Sequence, residues 1–409
     1  MRGFQDLRDR LPPSFDAVAA SADLLLGRLR AFFQSFYAPV YRLKGPEKNG
    51  GHDVTAVFVG AGKTRGYWSD LLFSDQPAIE TLGRFSYRQV LSLLDGTDPL
   101  VDMVFLESDP LVCPSFRRKG CLIIPEWVGM NIETDPQCTA VLAASGLDSQ
   151  RSDLRKIRKH GYRYRISRLP EEFDFYYHRM YLPYVSRRFD NLARLSRYEA
   201  MKRQWKRGFL ILIFKEETKE ADSGGLCFIG KDTLYLRNAG IRDGLQELVL
   251  QGAFSAVIYF AMQEARKRGL PNLDIGLSRP FLRNGVLAYK KKWGGRILID
   301  PRSQGNWAFK ILRFHEGTLS FLENNPLIFR DGKALSGLAF FRGPPASEES
   351  LVLIKSHFFH RGMKDLWVVS PSGSKAGSVP EGMRLAIETA SCLFKKNALR
   401  DDTPGRRDR

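Results

Sequence analysis

The sequence has few cysteines and no long hydrophobic run. Its five cysteines are odd in number and form no CxxC pair, a pattern that favours free thiols in a reducing compartment over a disulfide framework. The most apolar stretch, Leu248 to Met262, has 15 residues, whereas a helix needs about 20 residues to cross a bilayer. The first ten residues alternate in charge and lack the apolar core of a signal peptide. We therefore expect a cytoplasmic protein without a transmembrane segment.

The usual signatures of hydrolytic, metal and nucleotide sites are also missing. There is no GxSxG stretch, although residues that are distant in sequence could still assemble a triad. His357 and His360 have a spacing usable for zinc, but no third ligand is recognisable near them. The turn at residues 60–64 reads GAGKT and lacks the spacing of a complete P-loop. We predict no bound metal and no bound cofactor.

Acidic residues are scarce relative to basic ones, with 45 Asp and Glu against 63 Lys and Arg and a net charge of +18. Much of the excess lies in two segments. Residues 151–168 hold eight Lys or Arg and one acid, and residues 187–207 hold eight and two. Such a field attracts phosphates on nucleic acid, nucleotide, lipid or glycan, but either segment could simply be a solvated helix face. The charge predicts a phosphate-bearing donor or acceptor, with tRNA and a membrane surface as candidate partners.

The segment from Leu234 to Gly295 organises the prediction. It reads as a strand, a long apolar helix, a second strand around Asp274 and a short helix after Asn284. In that helix Lys290 falls in the apolar stripe, so that it either snorkels along the face or meets an anionic group of the substrate or leaving group. Lys291 and Lys292 are expected to point outward.

Two further side chains of this segment have more than one interpretation. Tyr289 is either a core residue or a proton donor to a leaving group. Asp274 alternates against its apolar neighbours and is either a base, a positioning group or a cap of the next turn. We expect Asp274 and Tyr289 to line one cleft.

The remaining patterns suggest α/β organisation. Helices are predicted at residues 15–37, 76–94, 154–160, 347–361 and 381–395, between alternating or buried strand patterns. Four outward cations are expected on the helix at 154–160. An Ala/Ser/Gly-rich stretch before residue 153 and a Pro-rich stretch at 343–347 indicate boundaries. The predicted domains are residues 1–150, 151–300 and 301–395, followed by a disordered tail at 396–409.

The central segment resembles the GNAT-fold acyltransferases of the CelD-like and Fem-type (FemAB-like) groups. The matching residues are Asp274 and Gly276, followed by the pattern Tyr-Lys-x-x-Trp-Gly at residues 289–294. The basic run at 153–159 and the Trp-Ser-Asp-Leu-Leu segment at 68–72 resemble further motifs of these groups. The resemblance implies an α/β (α+β) fold with tandem GNAT-like halves, in which helices flank mixed sheets, and a C-terminal extension.

The resemblance also implies the chemistry. The reaction would be acyl or aminoacyl transfer to an amine, less often to a hydroxyl, on a cell-envelope or glycan-linked acceptor. We expect an acyl-CoA or acyl-carrier donor first and an aminoacyl-tRNA second. A non-catalytic module that binds an anionic polymer is the other hypothesis. The residues at 242–247 depart from the GNAT pyrophosphate loop, because two acids stand near a helix N-terminus.

The expected site residues follow from the same resemblance. The candidate catalytic residues are Asp274, Tyr289 and Lys290. The candidate substrate-binding residues are Arg155, Lys156, Arg158, Lys159, Asn238, Gly240 and Trp293, and a backbone N–H near Asn238 to Gly240 would polarise the acyl carbonyl.

Overall fold

The computed structural model describes residues 37–60, 65–134, 148–189, 195–218, 220–301, 305–343, 348–370 and 381–386. The predicted helix at 15–37 lies outside these ranges except for its last residue. The Gly-rich turn after Gly60 and the tail at 396–409 also lie outside them.

The first part of the chain alternates strands and short helices. Its elements are β1 (Tyr37–Pro46), β2 (Asp53–Val59), α1 (Arg65–Leu72), β3 (Ala78–Ser86), α2 (Tyr87–Leu93), β4 (Met103–Ser108), α3 (Cys113–Arg118), β5 (Leu122–Pro125) and β6 (Val128–Glu133). The helix predicted at 76–94 is wrong in its first half, because β3 pairs with β1 as a largely exposed strand. Helix α2 starts after Ser86, whose side chain accepts from the Gln89 N–H in a capping box.

The second part contains the predicted central segment. Its elements are α4 (Asp148–Lys159), β7 (Tyr162–Ser167), α5 (Pro170–Phe175), a π-helical segment (Tyr176–Tyr181), α6 (Leu182–Phe189), α7 (Tyr198–Lys206), β8 (Phe209–Lys215), β9 (Ser223–Ile229), β10 (Thr233–Ile241), α8 (Gln246–Leu250), α9 (Ala253–Lys267), β11 (Asn272–Ser278), α10 (Gly285–Lys292) and β12 (Arg296–Leu298). The long apolar helix predicted from Leu248 is broken at Gly252, which has a φ of +94°. Its second piece, α9, packs into the same hydrophobic core as β10 and β11.

The last part adds a smaller unit. Its elements are β13 (Asn306–Ile311), α11 (Glu316–Asn324), β14 (Leu327–Asp331), β15 (Ala334–Phe340), α12 (Glu348–Phe358), β16 (Met363–Val369) and β17 (Met383–Ala386). The helix predicted at 381–395 is wrong where the structure describes it, because β17 pairs in parallel with β16. Of the helices in the described ranges, none is long and apolar enough to cross a membrane.

The two larger sheets share a run of five strands with the same pairing directions, β1-β2-β4-β13-β5 in the first and β9-β10-β11-β6-β12 in the second. The first is β3-β1-β2-β4-β13-β5, and the second contains β8-β9-β10-β11-β6-β12 with β7 added beside β8. Each has one parallel pair in its middle, β2 with β4 and β10 with β11. The mixed α/β fold with two similar halves is therefore confirmed.

The halves exchange one strand. β6 follows β5 in the chain but pairs with β11 and β12, whereas β13 follows β12 but pairs with β4 and β5. The boundaries predicted near residues 150 and 300 therefore do not coincide with the sheets. The third sheet, β14-β15-β16-β17, lies within the predicted C-terminal extension.

Candidate functional site

The parallel strands β10 and β11 separate part-way along their length. Their pairing runs from Thr233 opposite Asn272 to Tyr235 opposite Asp274. Beyond that point both strands bend. The pairing of β10 with β9 shifts after Arg237, and the pairing of β11 with β6 shifts after Asp274. Irregular pairing of this kind is common beside active sites, and we call the opening between the strands the splay.

Positive φ angles accompany both bends. Asn238 has a φ of 52° and Gly276 a φ of 82°. Glycine adopts such a conformation freely, whereas asparagine does so at some cost. The bends therefore depend on surrounding contacts that hold them.

An ion pair joins the two strands where they separate. Arg237 donates to both carboxylate oxygens of Asp274, at 2.7 and 3.0 Å, and the Gly276 N–H donates to Asp274 Oδ1 at 2.7 Å. The guanidinium also lies 5.2 Å from the Tyr235 ring centroid. Because both oxygens of Asp274 are engaged, this geometry favours the positioning role over the role of base.

Lys290 reaches the splay from α10. The Asn284 side chain caps this helix by accepting from two backbone N–H groups. Lys290 is 9% exposed, and its Nζ donates to the Leu277 carbonyl oxygen at 2.8 Å. A Cβ at Gly276 would lie 3.8 Å from this Nζ and 3.7 Å from an Arg237 nitrogen. The ammonium is therefore buried beside the ion pair and does not snorkel to the surface.

The burial of Lys290 changes its acidity. Burial lowers the pKa of Lys290 to about 7, with Asp274 opposing that effect and Arg237 adding to it. An amine with this pKa exists in both neutral and charged forms near pH 7, as a general acid or base requires.

Tyr289 belongs to a different network. Its hydroxyl lies 2.9 Å from Ser255 Oγ on α9, and Ser255 donates to Asp153 Oδ2 at 2.6 Å. Burial raises the pKa of Tyr289. Asp274 lies with Arg237 and Lys290, so the two side chains occupy separate networks. This corrects the expectation that Asp274 and Tyr289 line one cleft.

The neighbouring lysines also differ from the prediction. Lys291 donates to the carbonyl oxygens of Ser356 and His357 at the end of α12, at 2.7 and 3.0 Å, and burial lowers its pKa to about 8. Lys292 lies 2.6 Å from Asp153 Oδ2. Neither is a purely solvated cation, because α12 and α4 cover that side of α10.

Two of the expected substrate-binding residues have packing roles. Trp293 is 1% exposed and belongs to the core that includes α9. A Cβ at Gly240 would lie 2.6 Å from the Met180 carbonyl carbon of the π-helical segment, so this glycine allows a close backbone approach. The burial of Trp293 argues against contact of its side chain with substrate, whereas the role predicted for the backbone at Gly240 stays a prediction. Asn238 stays at the splay, where its carbonyl oxygen accepts from the Tyr176 hydroxyl.

Helix α4 carries the expected basic residues. Arg155, Arg158 and Lys159 are exposed, but Lys156 is half-buried. Its Cβ lies 3.1 Å from the position of a Cβ at Gly252. The prediction of four outward cations is therefore corrected to three.

Helix α4 also closes the beginning of α9. Gly252, Ala253 and Ser255 are buried, and the Asp153 carboxylate binds Ser255 there. A pyrophosphate would need the N–H groups of this first turn and the positive end of the helix dipole. That end is covered and already faces a carboxylate, so the residues present do not fit coenzyme A in this position.

Comparisons with known proteins give weak likenesses. The sequence matches no protein-family model and no curated protein. Among solved structures, FemX is 13% identical over 63% of this chain and 80% of its own, with a TM-score of 0.34. L-PGS from Bacillus licheniformis is 9% identical over 68% and 87%, with a TM-score of 0.33. A GCN5-related N-acetyltransferase from Sphaerobacter thermophilus is 11% identical over 67% and 77%, with a TM-score of 0.31. Likenesses at these TM-scores support no argument about function.

Sequence reasoning missed three residues of these networks. Arg237 alternates against apolar neighbours on β10 just as Asp274 does on β11, and that shared pattern could have indicated a cross-strand pair. Asp153 and Ser255 had no such signal, because these two residues, which bond to each other, are 102 positions apart in the sequence.

Proposed function

We propose that the chain is a GNAT-type transferase that moves an acyl or aminoacyl group to an amine. The observation that carries this proposal is the buried Lys290 at the splay, with a pKa of about 7. An acceptor amine must lose a proton as it attacks a carbonyl, and a neutral lysine can take that proton. A hydroxyl is the alternative acceptor group.

The proposed reaction assigns a role to each part of the splay. The acceptor nitrogen attacks the acyl carbonyl carbon and a C–N bond forms. The bond from that carbon to the ester oxygen or thioester sulfur of the donor breaks. Neutral Lys290 takes the proton from the nitrogen and returns it, as an ammonium, to the leaving oxygen or sulfur. Beyond Tyr235, β10 is not paired with β11, and its backbone near Asn238 would polarise the carbonyl. The Arg237–Asp274 pair would hold these groups in register.

The covered start of α9 argues against acyl-CoA, the donor expected first. We propose a donor that does not need that helix end, either the oxygen ester of an aminoacyl-tRNA or the thioester of an acyl carrier. The exposed cations of α4 would bind the donor's or acceptor's phosphates. The acceptor would be a cell-envelope or glycan-linked amine.

A donor screen tests the proposal. Acetyl-CoA, an acyl-carrier protein and an aminoacyl-tRNA are each incubated with the protein and with envelope-derived amines, and the acceptor's mass is measured. The proposal expects a mass gain from the acyl-carrier protein or the aminoacyl-tRNA and none with Lys290→Met. An equal yield from Lys290→Met would refute the role of Lys290. Turnover with acetyl-CoA would refute the donor argument alone.

The role of α4 has its own test. Replacing Arg155, Arg158 and Lys159 by Ala should weaken tRNA binding and lower its salt slope by about 0.9 for each phosphate that is no longer neutralised. A measured affinity that does not change with salt would contradict phosphate binding. Salt-dependent binding of tRNA without turnover from any donor would instead favour the non-catalytic module that binds an anionic polymer. The exposed cations of α4 are the observation that supports this alternative.

A further inference from the structure

The turn between β10 and α9, residues 242–252, exposes two leucines. Leu245 is 40% exposed and Leu250 61% exposed. Between them Leu248 is buried, which anchors α8 to the core while its ends face outward. Single exposed apolar residues are ordinary on a protein surface, so the leucines matter because of what surrounds them.

Cations flank this turn on both sides. Arg187 of α6 donates to the Gly244 carbonyl oxygen at 3.3 Å. On the other side the Lys156 Cβ lies 3.1 Å from the position of a Cβ at Gly252, and Lys215 donates to Gln251 Oε1 at 2.8 Å. Burial and the charges of Lys215, Lys159 and Lys156 lower the pKa of His160, so all three cations act on this histidine at the end of α4.

The acidic groups of the turn are already engaged. Asp243 accepts from Arg179 at 2.6 and 2.8 Å. Glu247 accepts from the Gln251 amide at 2.8 Å. Asp222 beneath the turn pairs with Arg242 at 2.6 Å and with Lys215 at 3.6 Å. The surface around the two leucines therefore has a positive balance.

We propose that residues 242–252, with Lys156, Lys159 and Arg187 beside them, form a docking surface for an anionic lipid bilayer. Exposed leucine side chains surrounded by Lys and Arg match the boundary between acyl chains and anionic headgroups. The leucines enter the apolar layer, while the cations stay at the phosphates. RNA would satisfy the cations but would leave both leucines in water. Charge complementarity and the exposed leucines together therefore favour the bilayer.

Docking here would place the splay near the lipid surface. β10 leads, through its bend at Asn238, from Arg237 at the splay to the turn at Arg242, a distance of at most about 17 Å at 3.3 Å per residue. An acceptor or donor held at the headgroups would thus be within reach of Lys290. The docking itself is independent of the proposed chemistry, because it needs neither donor nor acceptor.

Vesicle co-sedimentation of the full chain tests the surface. The probes are vesicles of phosphatidylcholine alone and of phosphatidylcholine mixed with phosphatidylserine. We expect binding to the mixed vesicles and little to the neutral ones. The double variant Leu245→Ser, Leu250→Ser should bind the mixed vesicles at least about 10-fold more weakly, because it removes the inserted apolar area. Replacing Lys156, Lys159 and Arg187 by Ala should weaken binding about fivefold per cation.

An exposed apolar pair on α12 supplies the matched control. Val352 and Leu353 are 54% and 59% exposed, and Val352→Ser, Leu353→Ser should bind vesicles like the unaltered chain. Thermal unfolding by circular dichroism verifies that all variants fold. Equal binding to neutral vesicles, or an equal loss in the α12 control, would overturn the proposal. Binding of bulk tRNA that depends on the cations, without vesicle binding, would assign the surface to RNA and overturn it as well.

Discussion

Replacing Lys290 by Met should make the protein more stable and less active at the same time. Methionine matches the length of the lysine stem and has no charge to desolvate. Lys290 has a pKa of about 7 in the folded protein, against about 10.4 in an unfolded chain. Between these values the unfolded state binds more protons, so the free energy of unfolding rises with pH from about 7 to 10.

The size of the effect follows from that difference. At pH 7 the shift corresponds to about 4 kcal/mol of destabilisation, since each pKa unit is worth about 1.4 kcal/mol. Methionine also loses the hydrogen bond to the Leu277 carbonyl oxygen, which costs about 1 kcal/mol. We therefore expect Lys290→Met to raise the free energy of unfolding by about 2–4 kcal/mol at pH 7, and the gain should shrink towards pH 10.

Activity should move in the opposite direction. Loss of a general acid or base lowers the rate by about 10²–10⁴-fold, and the limb of the kcat/KM profile near pH 7 should disappear in the variant. The assays are urea unfolding at pH 7 and pH 10 and turnover of the ester donor across the same range.

The control for this prediction is Lys310→Met. Lys310, on β13 of the first sheet, donates to the carbonyl oxygens of Leu94 and Lys119 at the ends of α2 and α3, each at 2.7 Å, and we expect this variant to lower stability and leave turnover unchanged. A Lys290→Met protein that is less stable than the unaltered chain and keeps its turnover would refute the reasoning.

Three further predictions concern neighbouring groups. Asp274→Asn should lower the free energy of unfolding by about 3–5 kcal/mol, because Arg237 stays buried without its partner; urea unfolding measures this, and an unchanged midpoint would contradict it. Lys291→Ala should change that free energy at pH 7 by less than about 2 kcal/mol, because the loss of two hydrogen bonds to the end of α12 opposes the removal of a lysine whose pKa burial lowers to about 8. Its kcat should stay within about twofold, and a large loss of kcat would place Lys291 in the chemistry. Burial and the charge of Lys291 lower the pKa of His360 to about 3. The free energy of unfolding should therefore fall by about 1.4 kcal/mol for each pH unit below about 6.5. His360→Leu should flatten this slope in urea titrations, and an unchanged slope would exclude His360 as its source.

The local patterns predicted much of the site. The apolar stripe placed Lys290 among apolar side chains, although it left open whether Lys290 snorkels along the face or meets an anionic group, and alternation on β11 placed Asp274 opposite its apolar neighbours. Both inferences depend on periodicities within one element, and the structure agrees with them. The prediction that Lys291 and Lys292 point outward was wrong, because α12 and Asp153, which contact these lysines, lie far from them in the sequence.

The strand exchange shows a second limit of sequence reasoning. A hydrophobic pattern identifies β6 and β13 as strands, but it does not say which sheet each one joins. Their pairing depends on the packing of both halves together. The predicted boundaries followed composition along the chain, whereas the sheets follow contacts across it.

The energetic cost of burying Lys290 is the strongest reason to assign it a function. A lysine that merely filled the apolar stripe could extend its Nζ to solvent at little cost, but this Nζ is buried against a carbonyl oxygen beside Arg237. With a methionine at this position, the free energy of unfolding at pH 7 would be higher by about 2–4 kcal/mol. That difference is large beside a net stability of about 5–15 kcal/mol for a domain. Groups held at such a cost are concentrated at functional sites. The bent strands, the doubly engaged Asp274 and the titratable Lys290 meet where β10 and β11 part, and a proton-transfer role explains all three together.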